Sequence, residues 1–133
     1  MKKPVLTTTE PGYRGVTREV LCGLQDEPCA FHVRSYEVQP GGFTRLERHR
    51  HVHSVTVVRG RGYAIVGAEV RRLDPLVHVY VPPMTLHQFV NEGDEPLHFL
   101  CVVDAQRDRA EPATLDEVAA LEADPATAGK PRV

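Results

Sequence analysis

The sequence predicts an all-β fold, a barrel or sandwich of short strands, followed by an α-helix near the carboxyl end. Two observations predict the strands. Apolar or alternating runs recur along residues 30–104, and Gly, Pro, Asn and Asp residues separate these runs. A third observation predicts the helix, since residues 114–124 follow a helical spacing instead of an alternating one. The intervals between the strand-like runs leave no room for crossover helices, so an α/β fold is not expected.

The strand-like runs follow one another with turn residues between them. They are AFHVRSYEV, SVTVV, YAIV, VHVYV, HQFV and LHFLCVV, separated by QPGG, RGRG, GAE, PP and NEGDEP. In SVTVV, Val55 and Val57 alternate with Ser54 and Thr56, which is the pattern of a strand with one buried face. We therefore expect Val55 and Val57 to point into the interior of the barrel.

The predicted helix has a capped start, an apolar face and a defined end. Thr114 can cap its first turn, acidic residues follow at Asp116 and Glu117, and Pro125 stops it. Its apolar positions fall at helical spacing, at Leu115, Val118 and Leu121. We expect the helix to pack on the outside of the barrel and residues 126–133 to fray.

The length of 133 residues, of which 41% are hydrophobic, predicts a single domain with a real core. We assign the whole of residues 1–133 to this domain, with the barrel core at about 16–104 and the helix at about 114–124. Residues 1–15 look extended, and we expect them to form an amino-terminal arm that pairs with another subunit.

Composition and charge narrow the classes of partner. The net charge of −2 and a pI near 6.4 give no basic surplus of the kind that neutralises nucleic-acid phosphates. No run approaches the roughly 18 apolar residues of a membrane span, and the first residues lack the apolar stretch of a signal peptide. We expect a soluble, cytoplasmic protein that binds neither nucleic acid nor membranes. Cys22, Cys29 and Cys101 show no paired metal-binding spacing and are expected to be reduced.

Four polar side chains alternate directly ahead of SVTVV. They are Glu47, His49, His51 and His53, and the strand parity of Val55 extended backwards directs them inward. An ionised carboxylate removed from water is costly unless it is paired or bound to a metal, and packed protonated imidazoles repel one another. A divalent cation removes both difficulties, because it takes neutral imidazole nitrogens and keeps the carboxylate ionised. The cluster therefore predicts a metal site.

A further ligand is expected from a distant part of the chain. In VPPMTLHQFVN, the proline pair ends one strand, and His87, Phe89 and Asn91 alternate on the next. His87 is the candidate ligand. We interpret Asn91, which precedes EGDEP, as a turn residue.

These residues resemble the two motifs of the cupin family. The first motif is matched by PGG at 40–42, His49, His53 and Gly60, and the second, PxGxxHxxxN, by Pro82, His87 and Asn91. The resemblance covers about residues 30–104. It implies a double-stranded β-helix, the cupin or jelly-roll barrel, and it implies a homodimer, because small cupins often pair and exchange amino-terminal strands.

The sequence departs from the family pattern at three places. Glu47 stands where the first histidine of the usual HxH is expected, and His53 stands where a glutamate is usual. Met84 replaces the glycine of the second motif, and residues 76–77 replace a common Gly-Asp turn. His51 offers a competing donor between the two expected ligands.

The resemblance implies Glu47, His49, His53 and His87 as the metal ligands. Strand parity alone does not choose among the four alternating residues, so His51 remains an alternative to Glu47 or His53. The donors suit iron, manganese, nickel, copper or zinc, and similar small cupins favour iron or manganese. Two other interpretations stay open, a metal-free pocket that uses the same side chains for hydrogen bonds and a solvated polar loop.

The expected pocket is mostly apolar and fits a small molecule. Its predicted lining is Tyr36, Val55, Val57 and Phe89. We place first a metal-dependent enzyme, with dioxygenase-type chemistry favoured over isomerisation or decarboxylation, in which Glu47 or His51 moves a proton. The alternatives are a non-catalytic small-molecule-binding or sensor domain and a structural or assembly barrel.

Overall fold

A computed structural model of the chain describes residues 5–7, 9–23 and 27–133. The described part forms strands followed by one helix, α1, at Leu115–Ala123. The strands are β1 Val5–Thr7, β2 Arg14–Cys22, β3 Phe31–Phe43, β4 Glu47–Arg48, β5 His53–Arg59, β6 Gly62–Val66, β7 Glu69–Leu73, β8 His78–Val81, β9 His87–Val90, β10 Leu97–Asp104 and β11 Glu111–Pro112. No helix in this part is long and apolar enough to cross a membrane.

The strands form a nearly closed antiparallel barrel. The main path runs β11-β4-β9-β3-β10-β5-β8, with β2 beside β3, β1 beside β2, β6 beside β9 and β7 beside β6. Every pairing among these strands is antiparallel. The prediction of an all-β barrel with a carboxyl-terminal helix is confirmed.

The core lies between the strands because their inward positions are apolar. On β5, His53, Val55 and Val57 are buried while the residues between them are partly exposed, as the alternation predicts. The buried cluster continues onto the neighbouring strands through Cys101 on β10 and Val79 on β8, which lie opposite Val55. This strand parity decides which side chains reach the interior.

One turn prediction is wrong, and two of the described non-glycine residues adopt a positive φ. QPGG, expected to be a turn, lies inside β3, where the pairing with β2 shifts register and Gly41 adopts a φ of 80°. A bulge thus absorbs the turn residues and the strand continues. Met84 and Leu76, which stand where the family pattern has glycine-containing turns, adopt φ values of 54° and 71°. Both residues therefore adopt a left-handed backbone conformation that glycine adopts more easily.

The helix is fixed at its start and attached to the barrel by one ion pair. Thr114 Oγ1 accepts a hydrogen bond from the Glu117 backbone, and the Glu117 carboxylate accepts one from the Thr114 backbone, as in a capping box. Glu117 also accepts from Arg48, at 2.9 Å from Nη2 to Oε1. Leu121 is buried, whereas Leu115 is 89% exposed, so the predicted apolar face is only partly covered.

The prediction that residues 126–133 fray is wrong. Thr127 is fully buried and its hydroxyl donates to the Leu121 carbonyl at 2.7 Å. The Tyr63 hydroxyl donates to the Lys130 carbonyl. The Arg132 N–H donates to the Gln88 side-chain oxygen at 3.0 Å. Polar side chains of the barrel thus hold a segment that has no periodic pattern of its own.

The amino-terminal arm is only partly described, because residues 1–4 and 8 lie outside the described residues. Its strand β1 pairs with Thr17–Glu19 of the same chain. Pairing of the arm with another subunit, the homodimer, the single-domain assignment and the cytoplasmic location all stay predictions.

Candidate metal centre

Three buried histidines converge at one end of the barrel. His53 begins β5, His87 begins β9, and His49 lies in the loop between β4 and β5. Two backbone contacts bring these segments together, since Glu47 pairs with His87 in the sheet and the Met84 N–H donates to the His49 carbonyl at 2.7 Å. The exposed fractions of His49, His53 and His87 are 2%, 8% and 4%.

The three imidazoles are close enough to share one ion. Ring centroids lie 4.4 Å apart for His49 and His53, 4.6 Å for His49 and His87, and 5.1 Å for His53 and His87. One nitrogen from each ring lies within 4.8 Å of the others. The residues come from two segments that are more than thirty positions apart, so only the folded barrel assembles them.

Backbone carbonyls orient two of the rings. His49 Nδ1 donates to the His51 carbonyl at 2.7 Å, and His87 Nδ1 donates to the Thr85 carbonyl at 2.9 Å. Because a carbonyl oxygen only accepts, the proton of each neutral ring lies on Nδ1 and the lone pair lies on Nε2. Among the described residues, Nε2 of His49 and Nε2 of His53 are buried without a hydrogen-bond partner. A metal ion fits this arrangement, since metal-bound histidines usually donate their other nitrogen to such a partner.

Burial also sets the protonation state of the three rings. Desolvation lowers the pKa of His49, His53 and His87, and the neighbouring imidazoles lower each pKa further. The pKa of His87 falls to about 4. All three rings are therefore neutral at neutral pH, which is the form that binds a metal.

Acid is expected to destabilise the metal-free protein. The pKa of His87 is about 4 in the folded state against 6.5 ordinarily, so between these values the unfolded chain binds more protons than the native one. Stability falls as the pH drops through this window, by about 2 kcal/mol near pH 5 from His87 alone, and His49 and His53 add to it. Urea unfolding of chelator-treated protein near pH 7 and pH 5 measures the loss.

The matched variant for this experiment is His87→Gln, which cannot be protonated. It should lose less stability than the parent between the same two pH values. An equal loss in both proteins would contradict a buried neutral His87.

Glu47, the predicted fourth ligand, lies beside the cluster in a different set of contacts. Its Oε1 accepts from Arg45 Nε at 2.8 Å and from the Tyr13 hydroxyl at 3.3 Å. It lines the same cavity as the histidines but is not among the three residues whose donor atoms come within 4.8 Å of one another. Its role as a ligand stays a prediction.

His51 lies against the cluster and is held by a carboxylate. Its ring stacks on the His49 ring at 3.7 Å between centroids, and its Nδ1 donates to Asp108 Oδ1 at 2.8 Å. Asp108 also accepts from the backbone N–H groups of Arg50 and His51, which helps to lower the pKa of its carboxyl. His51 is thus positioned by a carboxylate that is ionised at neutral pH, and this contact uses Nδ1 and not Nε2.

The histidines open into a cavity of about 810 Å³. Two of the predicted lining residues, Tyr36 and Phe89, are in its wall. Val55 and Val57 are fully buried in the core below it and are not among the lining residues. Val55 and Val57 lie farther along β5 than His53, so they are deeper in the barrel than the cavity that His53 lines.

The cavity wall also holds charged residues that sequence reasoning missed. They are Glu10, Arg18, Arg34, Arg45, Arg107, Asp108 and Arg109. Arg34 could have been predicted from the sequence, because it lies on the same strand face as Tyr36, which was expected to line the pocket. Asp108 had none, since it belongs to the irregular segment between β10 and β11.

The family follows from the comparison with known domains. A model of the cupin domain matches residues 34–103, more than half of the chain. The chain belongs to the cupin family. The histidine cluster of this cupin lies within the matched residues, and three such histidines could form a divalent metal site.

This cupin is similar to a protein named as an enzyme. It is 44% identical over 119 residues to the 1-methylthio-D-xylulose 5-phosphate methylsulfurylase of Rhodospirillum rubrum, and the match covers 87% of this chain and 73% of that protein.

Two solved cupin structures have nearly the same fold. A cupin-2 domain from Rhodospirillum rubrum has a TM-score of 0.88 and 40% identity, covering 95% of this chain and 85% of that one. A cupin 2 conserved barrel domain protein from Rhodopseudomonas palustris has a TM-score of 0.88 and 38% identity, covering 98% and 91%. Both comparisons extend beyond the matched cupin domain into the flanking strands of this chain.

Proposed function

We propose that this cupin is a metal-dependent enzyme that acts on a small phosphorylated ketose carrying a methylthio group and transfers that sulfur group. The observation that carries the proposal is the set of three neutral, converging imidazoles at a cavity of about 810 Å³. The relative named as a methylsulfurylase supports the choice of substrate class.

The donor set favours a reactive site over a structural one. Structural zinc is usually enclosed by four ligands, often cysteine thiolates. Here three histidines face a cavity, and Glu47 lies close by in that cavity's wall. A divalent metal in such a site supplies a Lewis acid for a carbonyl or hydroxyl oxygen of the substrate. The preference for iron or manganese stays a prediction.

The residues around the histidines have separate roles in this proposal. His49, His53 and His87 would hold the metal, with Glu47 as the further candidate. His51 is the proton carrier, because Asp108 fixes its Nδ1–H and leaves Nε2 to take or give a proton. Glu47 is the second predicted carrier.

The rings of Phe89 and Tyr36 form an apolar part of the cavity wall. Each stacks on Phe99, with centroids 4.7 Å and 5.2 Å apart. Apolar side chains together with a few polar groups are typical of a small-molecule site. Dioxygenase-type chemistry stays a prediction. No specific contact among the described residues favours it, so this proposal does not include it.

The test is an assay of metal-loaded protein with 1-methylthio-D-xylulose 5-phosphate and a low-molecular-weight thiol as sulfur acceptor. We expect the carbon–sulfur bond of the sugar phosphate to break, the methylthio group to form a mixed disulfide with the thiol, and the sugar carbon to take up a proton, which gives a 1-deoxy sugar phosphate. NMR and mass spectrometry detect both products, and no reaction is expected after chelation. His51→Asn should slow the reaction while the metal content stays unchanged. Binding of the sugar phosphate without turnover by fully loaded protein would instead favour the non-catalytic alternative.

A further inference from the structure

We propose that Arg34, together with Arg18 and Arg107, forms an anion subsite inside the barrel that binds the phosphate group of the substrate. The inference deepens the proposed function and rests on it for the identity of the ligand. The chemistry of the subsite itself rests on the contacts and charges of these three side chains.

Arg34 lies on the interior face of the barrel, on a wall that also carries the histidines. On β3 it is opposite Cys101 of β10, and Cys101 is opposite Val55 of β5, two residues beyond His53. Two strand spacings across and two residues along put the Cα atoms of Arg34 and His53 about 12 Å apart. Both side chains line the same cavity. One small ligand in this cavity can therefore contact the histidines and Arg34 together.

Arg34 is buried without a matching carboxylate in the part of the chain that the structure describes. It is 6% exposed, its Nη2 lies 3.7 Å from Cys101 Sγ, and its guanidinium carbon lies 5.3 Å from the Tyr36 ring centroid. Its Nε is buried without a hydrogen-bond partner among the described residues. A neutral thiol and an aromatic ring compensate a buried charge only weakly. The Cys101 thiol is neutral, because burial raises its pKa.

Two more guanidiniums face the same space. Arg18 on β2 is opposite Tyr36, and its Nε is also buried without a partner among the described residues. Arg107, in the segment after β10, donates from Nη1 to the Asp104 carbonyl at 2.8 Å, and that nitrogen also lies 3.1 Å from His32 Nδ1. Burial and then the nearby charge of Arg34 lower the pKa of Arg107, so the cations repel one another. An anion between them would relieve this repulsion.

Arg45 and the three carboxylates of the cavity wall already have partners of their own. Arg45 pairs with Glu47 at 2.8 Å and approaches Glu10 at 3.9 Å, while Asp108 is engaged by His51. None of the ion pairs found in the described part of the chain involves Arg18, Arg34 or Arg107. The positive charge without an ion-pair partner is thus carried by side chains on β2, on β3 and in the segment after β10, in the same cavity as the histidines.

Phosphate fits this charge better than a carboxylate substrate group does. A guanidinium presents a planar fork of donors that matches phosphate oxygens, and three cations suit a dianion. The partially buried setting strengthens each of these hydrogen bonds. The subsite therefore selects for a phosphorylated over an unphosphorylated ligand.

The test measures binding of inorganic phosphate to the metal-loaded protein by calorimetry. The variants are Arg34→Met, which removes the buried charge, Arg34→Lys, which keeps the charge without the fork, and Arg107→Met at an exposed position. The matched control is Arg71→Met, because Arg71 is exposed on β7 and is not in the cavity wall. Metal content and circular dichroism are recorded on every sample.

We expect Arg34→Met to weaken phosphate binding by about 10- to 100-fold, as for the loss of charged hydrogen bonds. Arg34→Lys and Arg107→Met should show smaller losses, and Arg71→Met none. The metal content should be the same in all of them. If Arg34→Met fails to fold, phosphate binding by Arg34→Lys and Arg107→Met tests the subsite instead.

Three outcomes would overturn the subsite. They are parent-like phosphate affinity in folded Arg34→Met, parent-like affinity in both Arg34→Lys and Arg107→Met, and absence of phosphate binding by the parent in the millimolar range. None of these outcomes tests the proposed reaction, since turnover of the sugar phosphate is assayed separately. Equally, phosphate binding that depends on Arg34 stands even if the methylthio sugar is not turned over.

Discussion

Replacing His87 with alanine is expected to remove the metal and the activity together. The change deletes one of three converging imidazoles and leaves the other two, His49 and His53, on a different segment of the chain. Loss of an outer partner of a metal ligand already weakens binding about 10- to 100-fold, so loss of the ligand itself should exceed this. Elemental analysis of untagged protein purified without chelator should give about one equivalent of a transition metal in the parent and little in the variant.

The control for this experiment is His78→Ala. His78 is exposed, its ring contacts Ser54 Oγ at 2.8 Å, and neither residue is in the cavity wall. It should keep the parent's metal content. A thousandfold excess of added metal over its dissociation constant should stabilise the parent and His78→Ala by about 4 kcal/mol. Equal metal content in His87→Ala and the parent would refute the assignment of the site.

Replacing Asn91 with alanine is expected to cost about 3 kcal/mol of unfolding free energy, since it removes three hydrogen bonds at a fully buried position. Asn91 Nδ2 donates to the Val38 and Glu95 carbonyls, each at 2.8 Å, and its Oδ1 accepts from the Gly93 N–H at 2.9 Å. Its loss leaves buried backbone groups unpaired in the connection between β9 and β10. Urea unfolding of the variant and the parent measures the cost.

Two companion variants define the cause. Asn91→Asp keeps the acceptor for Gly93 but turns a carboxylate oxygen towards two carbonyls, so it should be at least as damaging near neutral pH. Glu92→Ala, at the exposed neighbouring position, should stay within about 0.5 kcal/mol of the parent. A similar small effect for Asn91→Ala would show that the three bonds contribute little.

The barrel was predictable because its strands alternate and its turns are marked. The parity of SVTVV correctly directs His53 inward, and the distant run containing His87 stands at the spacing of the second family motif. The turn interpretation of Asn91 is confirmed by its bond to Gly93, although the bond to Val38 on β3 was not foreseen. Local pattern predicts a side chain's direction but not its distant partner.

Other elements escaped prediction for identifiable reasons. Strand β7 reads EVRRL, where exposed arginines interrupt the apolar pattern, so it was not recognised. The pairing of Asp108 with His51 joins a loop to a loop, and no periodicity links the two positions. The position of Glu47, the predicted fourth ligand, also depends on tertiary contacts, since its carboxylate accepts hydrogen bonds from Arg45 and Tyr13.

Because segment 126–133 is anchored beside His87, we expect proteolysis of this segment to affect the candidate metal centre. Gln88, which directly follows His87 on β9, accepts from the Arg132 N–H and donates to the Arg132 and Thr44 carbonyls. A single nick near Gly129 would release Arg132 and leave the buried Gln88 amide without two of these partners. Limited digestion that trims only this segment should therefore lower the metal content of a barrel that is otherwise intact.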